Sequence, residues 1–262
     1  MKVQLIDYTG AGAFDPARHA ANVLVFTKQT RLEMRPGLLD EIAAWPWAKV
    51  EEELRYMART IPSSWEFVGY TFLINGVSRA FTHQFVRTRV GSYAQQTMRV
   101  LNVNGWTYHT GPSIENDWSI DLDTGREEPG EKAAIYARTM DDIAAAYNSL
   151  IKAGAAIEDA RGVLPTNIHT NIVAHFNLRT LAETARKRAS SRTQGEYRDV
   201  ANAMLECVRE VHPWTTMFLD RDFDKAAGDL EAAIIKASEE GAISQDERTR
   251  LVKLVDELRA FS

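Results

Sequence analysis

The chain has 262 residues, a formal net charge of −5, and a composition that is 45% hydrophobic and 26% charged. These values exclude a disordered chain, and the acidic balance argues against a long polyanion such as duplex nucleic acid as partner. No run approaches the ~20 apolar residues of a membrane span, and one cysteine, Cys207, excludes an intramolecular disulfide and a cysteine-rich metal site.

The start, Met1 to Asp7, has a short apolar patch broken by Asp7 and does not read as a signal peptide, so the expected location is cytoplasmic. Val3 to Tyr8 reads as a first strand. Asp15 and Pro16 mark a helix start with proline just inside, and Trp47 to Arg59 has helical periodicity that ends before Pro62. Phe67 to Asn75 is rich in aromatic and β-branched residues and reads as a strand, broken at Gly76. Ser78 can cap a helix running to about Arg89; Gly91 ends it and opens a loop carrying Ser92 to Arg99. Asn102 to Glu131 is rich in Gly, Asn, Asp and Pro and is expected to be a long irregular loop. From Lys132 onward the expectation is nearly all helix: Lys132–Ala153, Ile157–Val163, Thr166–Ala189 and Glu196–Val211. Two more helices close the chain, the second opened by Ser244 and Glu247 at capping-box spacing. The expected fold class is α+β: a helix-dominated domain with a small antiparallel sheet over residues 1–222, then a helical extension over 223–262.

Between Glu66 and Glu115 there is no acidic residue, and Ser78 to Arg99 inside that gap holds four arginines and three glutamines. The arginine fork matches phosphate and carboxylate geometry. A local cationic site on an acidic protein points to a small anionic ligand. The plain alternative is a solvated basic face; the interleaved glutamines and aromatics favour a lined pocket. On a helix from Ser78, Gln84 and Arg87 are spaced i, i+3 and share a face, while Arg89 points elsewhere. In a second constellation Asn177, Thr184 and Arg188 fall on one helical line and Arg179 and Arg186 on the next, a pattern that a solvated face explains equally well. Cys207 shares an apolar stripe with Val200, Met204, Val208 and Val211 and reads as core. The six histidines lack metal-ligand spacing, and no metal is expected.

Phe72–Ala80, His83-Gln84, Arg87-Thr88-Arg89 and Ser92-Tyr93 through Arg99 together resemble the R-H-R-x-x-S-x-x-x-x-S-x-R signature of flavin-dependent thymidylate synthases. The resemblance continues at Ala160–Pro165, Asn177-Leu178-Arg179-Thr180-Leu181, Arg188, Gln194 with Glu196 and Arg198, and Pro213-Trp214-Thr215. It implies a homotetramer with FAD at subunit interfaces. It also implies transfer of a methylene from methylenetetrahydrofolate to C5 of dUMP, reduction by hydride from reduced FAD, and NADPH as the reductant of the flavin. Carried over by position, Gln84, Arg87, Arg99 and Arg161 match nucleotide contacts, largely to the phosphate. Gln95, Gln96, Thr97 and Arg99 match a loop that, by the resemblance, approaches the nucleotide from another subunit. Arg87, Thr88, Arg89, Gln95, Asn177 and Arg179 match FAD contacts. Arg188 matches the arginine that holds the uracil imide, and is the expected catalytic residue. No cysteine is placed to add to C6 of the pyrimidine, so activation is expected to be electrostatic. Thr97 is not expected to be a nucleophile, having no adjacent base.

Five positions depart from the family pattern: Thr88 for the middle histidine, Thr97 for the second serine, Phe67 for a histidine, Glu183 for an asparagine or histidine, and Gly195 for a tryptophan. They fall mainly on the flavin and folate side. Three readings follow: a C5-methylase of pyrimidine nucleotides with dUMP favoured, a UMP-specific C5-methylase of nucleoside-antibiotic biosynthesis, and a non-catalytic nucleotide-binding relative.

Overall fold

The computed structural model describes residues 1–99, 105–120, 127–188, 195–219 and 222–261, with side chains in the last stretch over 230–255. Its strands are β1 (Lys2–Tyr8), β2 (Gly69–Ser78), β3 (Ser92–Gln95), β4 (Trp118–Ile120), β5 (Glu127–Pro129) and β6 (His169–Asn177). β1, β2, β6 and β3 form, in that order, one antiparallel sheet, and β4 pairs with β5 apart from it. The helices are α1 (Pro16–Gln29), α2 (Leu38–Ala43), α3 (Trp47–Thr60), α4 (Arg79–Phe85), α5 (Pro112–Glu115), α6 (Glu131–Lys152) and α7 (Ile157–Ala160), then α8 (Leu178–Arg188), α9 (Gly195–Val211), α10 (Thr216–Leu219), α11 (Asp222–Glu239) and α12 (Gln245–Phe261). The α+β class expected from the sequence is the one observed.

Local chemistry sets several boundaries as expected. The Asp15 side chain accepts from the Arg18 N–H at 2.9 Å and Pro16 follows inside α1. The Ser78 hydroxyl accepts from the Phe81 N–H at 3.0 Å and starts α4. Ser244 and Glu247 form the reciprocal capping pair of α12.

Four expectations are corrected. Thr166–Ala189 is not one helix: its centre is β6, the strand between β2 and β3. Along β6 Thr170, Ile172, Ala174 and Phe176 are buried while their neighbours are not, a period of two that a helix cannot place on one face. Pairing on both edges then satisfies its backbone groups. Gly76 does not break the second strand; at φ 67° it forms an irregularity between Ile74 and Val77, after which pairing resumes to Ser78. Ser92 to Gln95 is a strand, not loop. α4 ends at Phe85, short of Arg89. Of the expected loop Asn102 to Glu131, residues 102–104 and 121–126 lie outside the described set, as does Gln194; the described parts hold α5, β4 and β5.

One core joins these elements. Leu24 of α1, Leu54 and Met57 of α3, Tyr70, Phe72 and Ile74 of β2, Phe81 and Phe85 of α4, Phe176 of β6, and Val200, Met204 and Val208 of α9 are all buried in it. A second, small cluster of Ile234 and Val255, flanked by Ile243 and Val252, joins α11 and α12.

His212, just after α9, is fully buried against Tyr70, whose hydroxyl lies 2.9 Å from its Nδ1, while Nε2 has no hydrogen-bond partner. Burial pushes its pKa down to about 4, whereas an unfolded histidine titrates near ~6.5. Above that value neither state is charged. As the pH falls from about 6.5 to 4, the unfolded chain takes up a proton that the native ring refuses, so stability is lost, by about 2–3 kcal/mol in all. Urea midpoints should therefore fall between pH 6.5 and 4.5 in the parent, and less steeply in His212→Gln. An equal slope in the variant would place the acid sensitivity elsewhere.

Candidate functional site

The edge strand β3 organises the first cluster. Its register sets Gln95 opposite Ile172 of β6. Gln95 Nε2 donates to Thr82 Oγ1 of α4 at 2.9 Å. Gln96 is held by Asn171 on both sides: its N–H donates to the Asn171 carbonyl and its Oε1 accepts from Asn171 Nδ2, each at 2.9 Å. The Thr97 hydroxyl accepts from the Arg99 N–H at 3.1 Å. Arg99 reaches Glu158, Nε to carboxylate 3.2 Å, and Arg161 Nε donates to the Glu158 carbonyl at 3.1 Å. The fold therefore gathers Gln95, Gln96, Thr97 and Arg99, at the end of β3 and just beyond it, with Arg161, which follows α7.

Arg79 joins this cluster. It is half-buried, donates from Nη2 to the Gln96 carbonyl at 3.0 Å, and leaves its buried Nε without a partner. Burial, and then the like charge of Arg161, lower its pKa. The sequence displays Arg79 beside its capping serine but gives it no role, because nothing local marks its approach to Gln96 and Arg161.

A second cluster forms where α4 ends. The Arg87 N–H donates to the Gln84 carbonyl at 3.2 Å and the Thr88 N–H to the Phe85 carbonyl at 3.1 Å, so the last turn tightens to i, i+3 bonds. The Tyr93 hydroxyl sits 3.1 Å from the Phe85 carbonyl and 2.7 Å from that of Thr88; burial pushes its pKa up to about 12, which keeps it a donor. Arg87 thus lies in this turn beyond the helix and does not share a helical face with Gln84. Both Arg87 and Arg89 are exposed. Thr180 stitches the turn to α8: its hydroxyl donates to the Val90 carbonyl at 3.0 Å and its N–H donates to Asn177 Oδ1 at 2.8 Å. Asn177 is the last residue of β6 and accepts from the first turn of α8, so it does not lie on a helical line with Thr184 and Arg188. Arg179, two residues on, is gripped by Glu66 at 2.7 Å and Glu183 at 3.4 Å, and chiefly the Glu66 bond raises its pKa. Arg179, Glu183, Arg186 and Trp65 line a cleft of about 300 Å³ between α3 and α8.

Arg188 closes α8, about 14 Å along the helix axis from Arg179. Its guanidinium carbon lies 4.8 Å from the centre of the Tyr197 ring. Tyr197 is buried edge-on against Phe81, ring centres 5.1 Å apart. The preceding residue, Glu196, is a buried carboxylate that accepts from the Ser78 N–H at 2.7 Å and from the Ser78 hydroxyl. His109 Nδ1 is 3.9 Å from Glu196. Burial lowers the pKa of nearby His169, Glu196 opposes that shift and His109 adds to it. The start of α9 is thereby pinned to the junction of β2 and α4.

Among the described residues Arg87, Arg89, Arg161 and Arg188 make no ion pair, and no group of histidine, cysteine and carboxylate side chains could hold a metal ion. Cys207 is half-buried on α9, where burial first of all pushes its thiol pKa up. Such a surface can hold phosphate esters and stabilise an anionic ring. It carries no electron source of its own, so redox chemistry there needs a bound cofactor.

Comparison with known proteins agrees with this chemistry. The profile of the family described as thymidylate synthase complementing protein matches residues 4–214. Over 232 residues the chain is 32% identical to the flavin-dependent thymidylate synthase of Clostridium tetani, covering 81% of this chain and 84% of that one. The chain belongs to the flavin-dependent thymidylate synthase family. It is 36% identical over 157 residues to the protein of that name from Nitratidesulfovibrio vulgaris, covering 56% of this chain and 59% of that one. For the Sulfurisphaera tokodaii protein of the same name the identity is 38% over 146 residues, 55% of this chain and 51% of that one. These last two similarities span little more than half of each relative. The family is one of methyltransferases, and the resemblance read from the separated motifs is confirmed. No helix among the described residues is long and apolar enough to cross a membrane.

Proposed function

We propose that the protein is an FAD-dependent methyltransferase that converts dUMP to dTMP, with methylenetetrahydrofolate as carbon donor and NADPH as reductant. The observation that supports this most is a pair of arginine clusters beside β3, in a chain of this family, with Arg161, Arg87, Arg89 and Arg188 lacking carboxylate partners among the described residues. In this reading Gln84, Arg87, Thr97, Arg99 and Arg161 hold the nucleotide, with Gln95 and Gln96 shaping the wall. Arg87, Thr88, Arg89, Gln95, Asn177 and Arg179 hold FAD. The donor set fits a diphosphate cofactor: Arg87 and Arg89 are exposed cations at a turn fixed by Tyr93 and Thr180. Reduced FAD, when bound, supplies the hydride. Arg188 stabilises the negative charge that develops on the pyrimidine, a task that Cys207, with its raised pKa, is not suited to share.

The test is an absorbance spectrum of the purified protein, followed by assays with dUMP and with UMP. A flavin band and dTMP formation are expected. Preference for UMP would move the assignment to a ribonucleotide C5-methylase; colourless protein that refuses added FAD would favour a non-catalytic nucleotide-binding relative. Within this reading Arg179→Ala should weaken FAD by about tenfold, the scale of one charged hydrogen bond, with dUMP affinity little changed. Equal FAD affinity in variant and parent would remove Arg179 from the flavin site.

The active unit proposed is a homotetramer of the 1–222 domains, each with its 223–262 extension. The Arg99 side chain is 70% exposed on its own protomer, which suits a segment that serves a neighbour's site. Inactive Arg99→Ala and Arg188→Ala chains, mixed after dissociation, should then regain activity. A mixture that stays inactive although subunits exchange would refute the shared site.

A further inference from the structure

Arg188 closes α8 with a long side chain and makes no ion pair among the described residues. Free in solvent, such a side chain samples many rotamers, and fixing it costs conformational entropy. A carboxylate partner would fix it but would also offset the charge needed at the pyrimidine. An aromatic face fixes a guanidinium and leaves its charge in place. Tyr197 provides that face, 4.8 Å from the guanidinium carbon. The ring is itself immobile: it is 1% exposed, with Phe81 edge-on at 5.1 Å and Phe85 edge-on at 5.9 Å. Both of those rings belong to α4, the helix that carries Gln84. Glu196, next in the chain, is hydrogen-bonded to Ser78 at the start of the same helix. The position of Arg188 is thus referred to α4 through one rigid stack.

We infer that Tyr197 is the positioning residue for Arg188, its ring face holding the guanidinium against the pyrimidine without neutralising it. The inference rests on the reading of Arg188 as the group that activates the nucleotide. It predicts a loss in kcat and not in ligand binding, in proportion to the ring's electron density. Tyr197→Leu should lower kcat with dUMP about tenfold, the scale of one such contact. KM for dUMP and the flavin spectrum should stay within about twofold of the parent. Tyr197→Phe should restore most of the loss, and stepwise fluorination of a phenylalanine at that position should lower kcat again in steps. Phe72→Leu, a buried ring lost from β2, controls for general destabilisation and should not reproduce the kcat effect. In an Arg188→Ala background, Tyr197→Leu should add nothing. Inactive Arg188→Ala together with kcat indifferent to fluorination would overturn the inference and leave the role of Arg188 standing. Parental turnover in Arg188→Ala would overturn both.

Discussion

Arg188→Ala should lower dUMP turnover about 10²–10³-fold, the usual cost of removing one preorganised charge-stabilising donor, while FAD stays bound. In the proposed reaction C5 of uracil becomes a nucleophile when negative charge develops on the ring, and without a thiolate to add at C6 that charge must be stabilised by a fixed cation. Among the described residues Arg188 rests on a buried aromatic ring, so little rearrangement is needed when the charge develops. It stands at the far end of α8 from Arg179, about 14 Å away along the axis, so its removal should leave the flavin cluster intact. Arg188→Lys should fall between, because an ammonium keeps the charge and loses the planar fork. Single-turnover rates with flavin reduced beforehand isolate the relevant step. An alanine variant with parental rates would place the activating group elsewhere.

The family was legible because its motifs are polar, local and in register: Gln84, Arg87, Arg89 and Arg99 lie within one stretch free of carboxylates. The caps at Asp15, Ser78 and Ser244 were legible for the same reason, since each acts within three residues. What failed was non-local. Strand β6 reads as helix because His169–Asn177 is followed at once by the helix-forming run of α8, and only the partners β2 and β3 make extended backbone the better solution. β3 is four residues long and takes its conformation from β6. The tightening of the chain after Phe85 depends on Tyr93, which reaches back to two carbonyls. In the site, Arg99 and Arg161 could be named singly, but Glu158, which draws them together, carries no sequence signal. The same holds for Tyr197 beneath Arg188. Glu183 was visible as a departure from the family, and the structure gives it a partner: with Glu66 it occupies Arg179.

Glu196→Ala should cost about 3–5 kcal/mol of stability, the range for breaking a buried charged network, and lower Tm by about 10 °C at this chain size. Glu196 is 7% exposed, and its carboxylate accepts two hydrogen bonds from Ser78, one from the N–H and one from the hydroxyl. Each bond to a charged acceptor contributes about 1.5–3 kcal/mol. Alanine leaves the Ser78 N–H buried without an acceptor and frees the hydroxyl that caps α4 through Phe81, and a lost cap costs about 0.5–2 kcal/mol more. Glu196→Gln keeps one acceptor oxygen and should lose roughly half as much. Because Tyr197 follows directly and α4 carries the rings that hold it, the alanine variant should also lose turnover at temperatures where it remains folded, with FAD still bound. Calorimetry on both variants, run beside the assay at 20 °C, separates the two effects. A Tm within about 2 °C of the parent for Glu196→Ala would mean that α9 is held to the β2–α4 junction by apolar packing, and that the buried carboxylate contributes little.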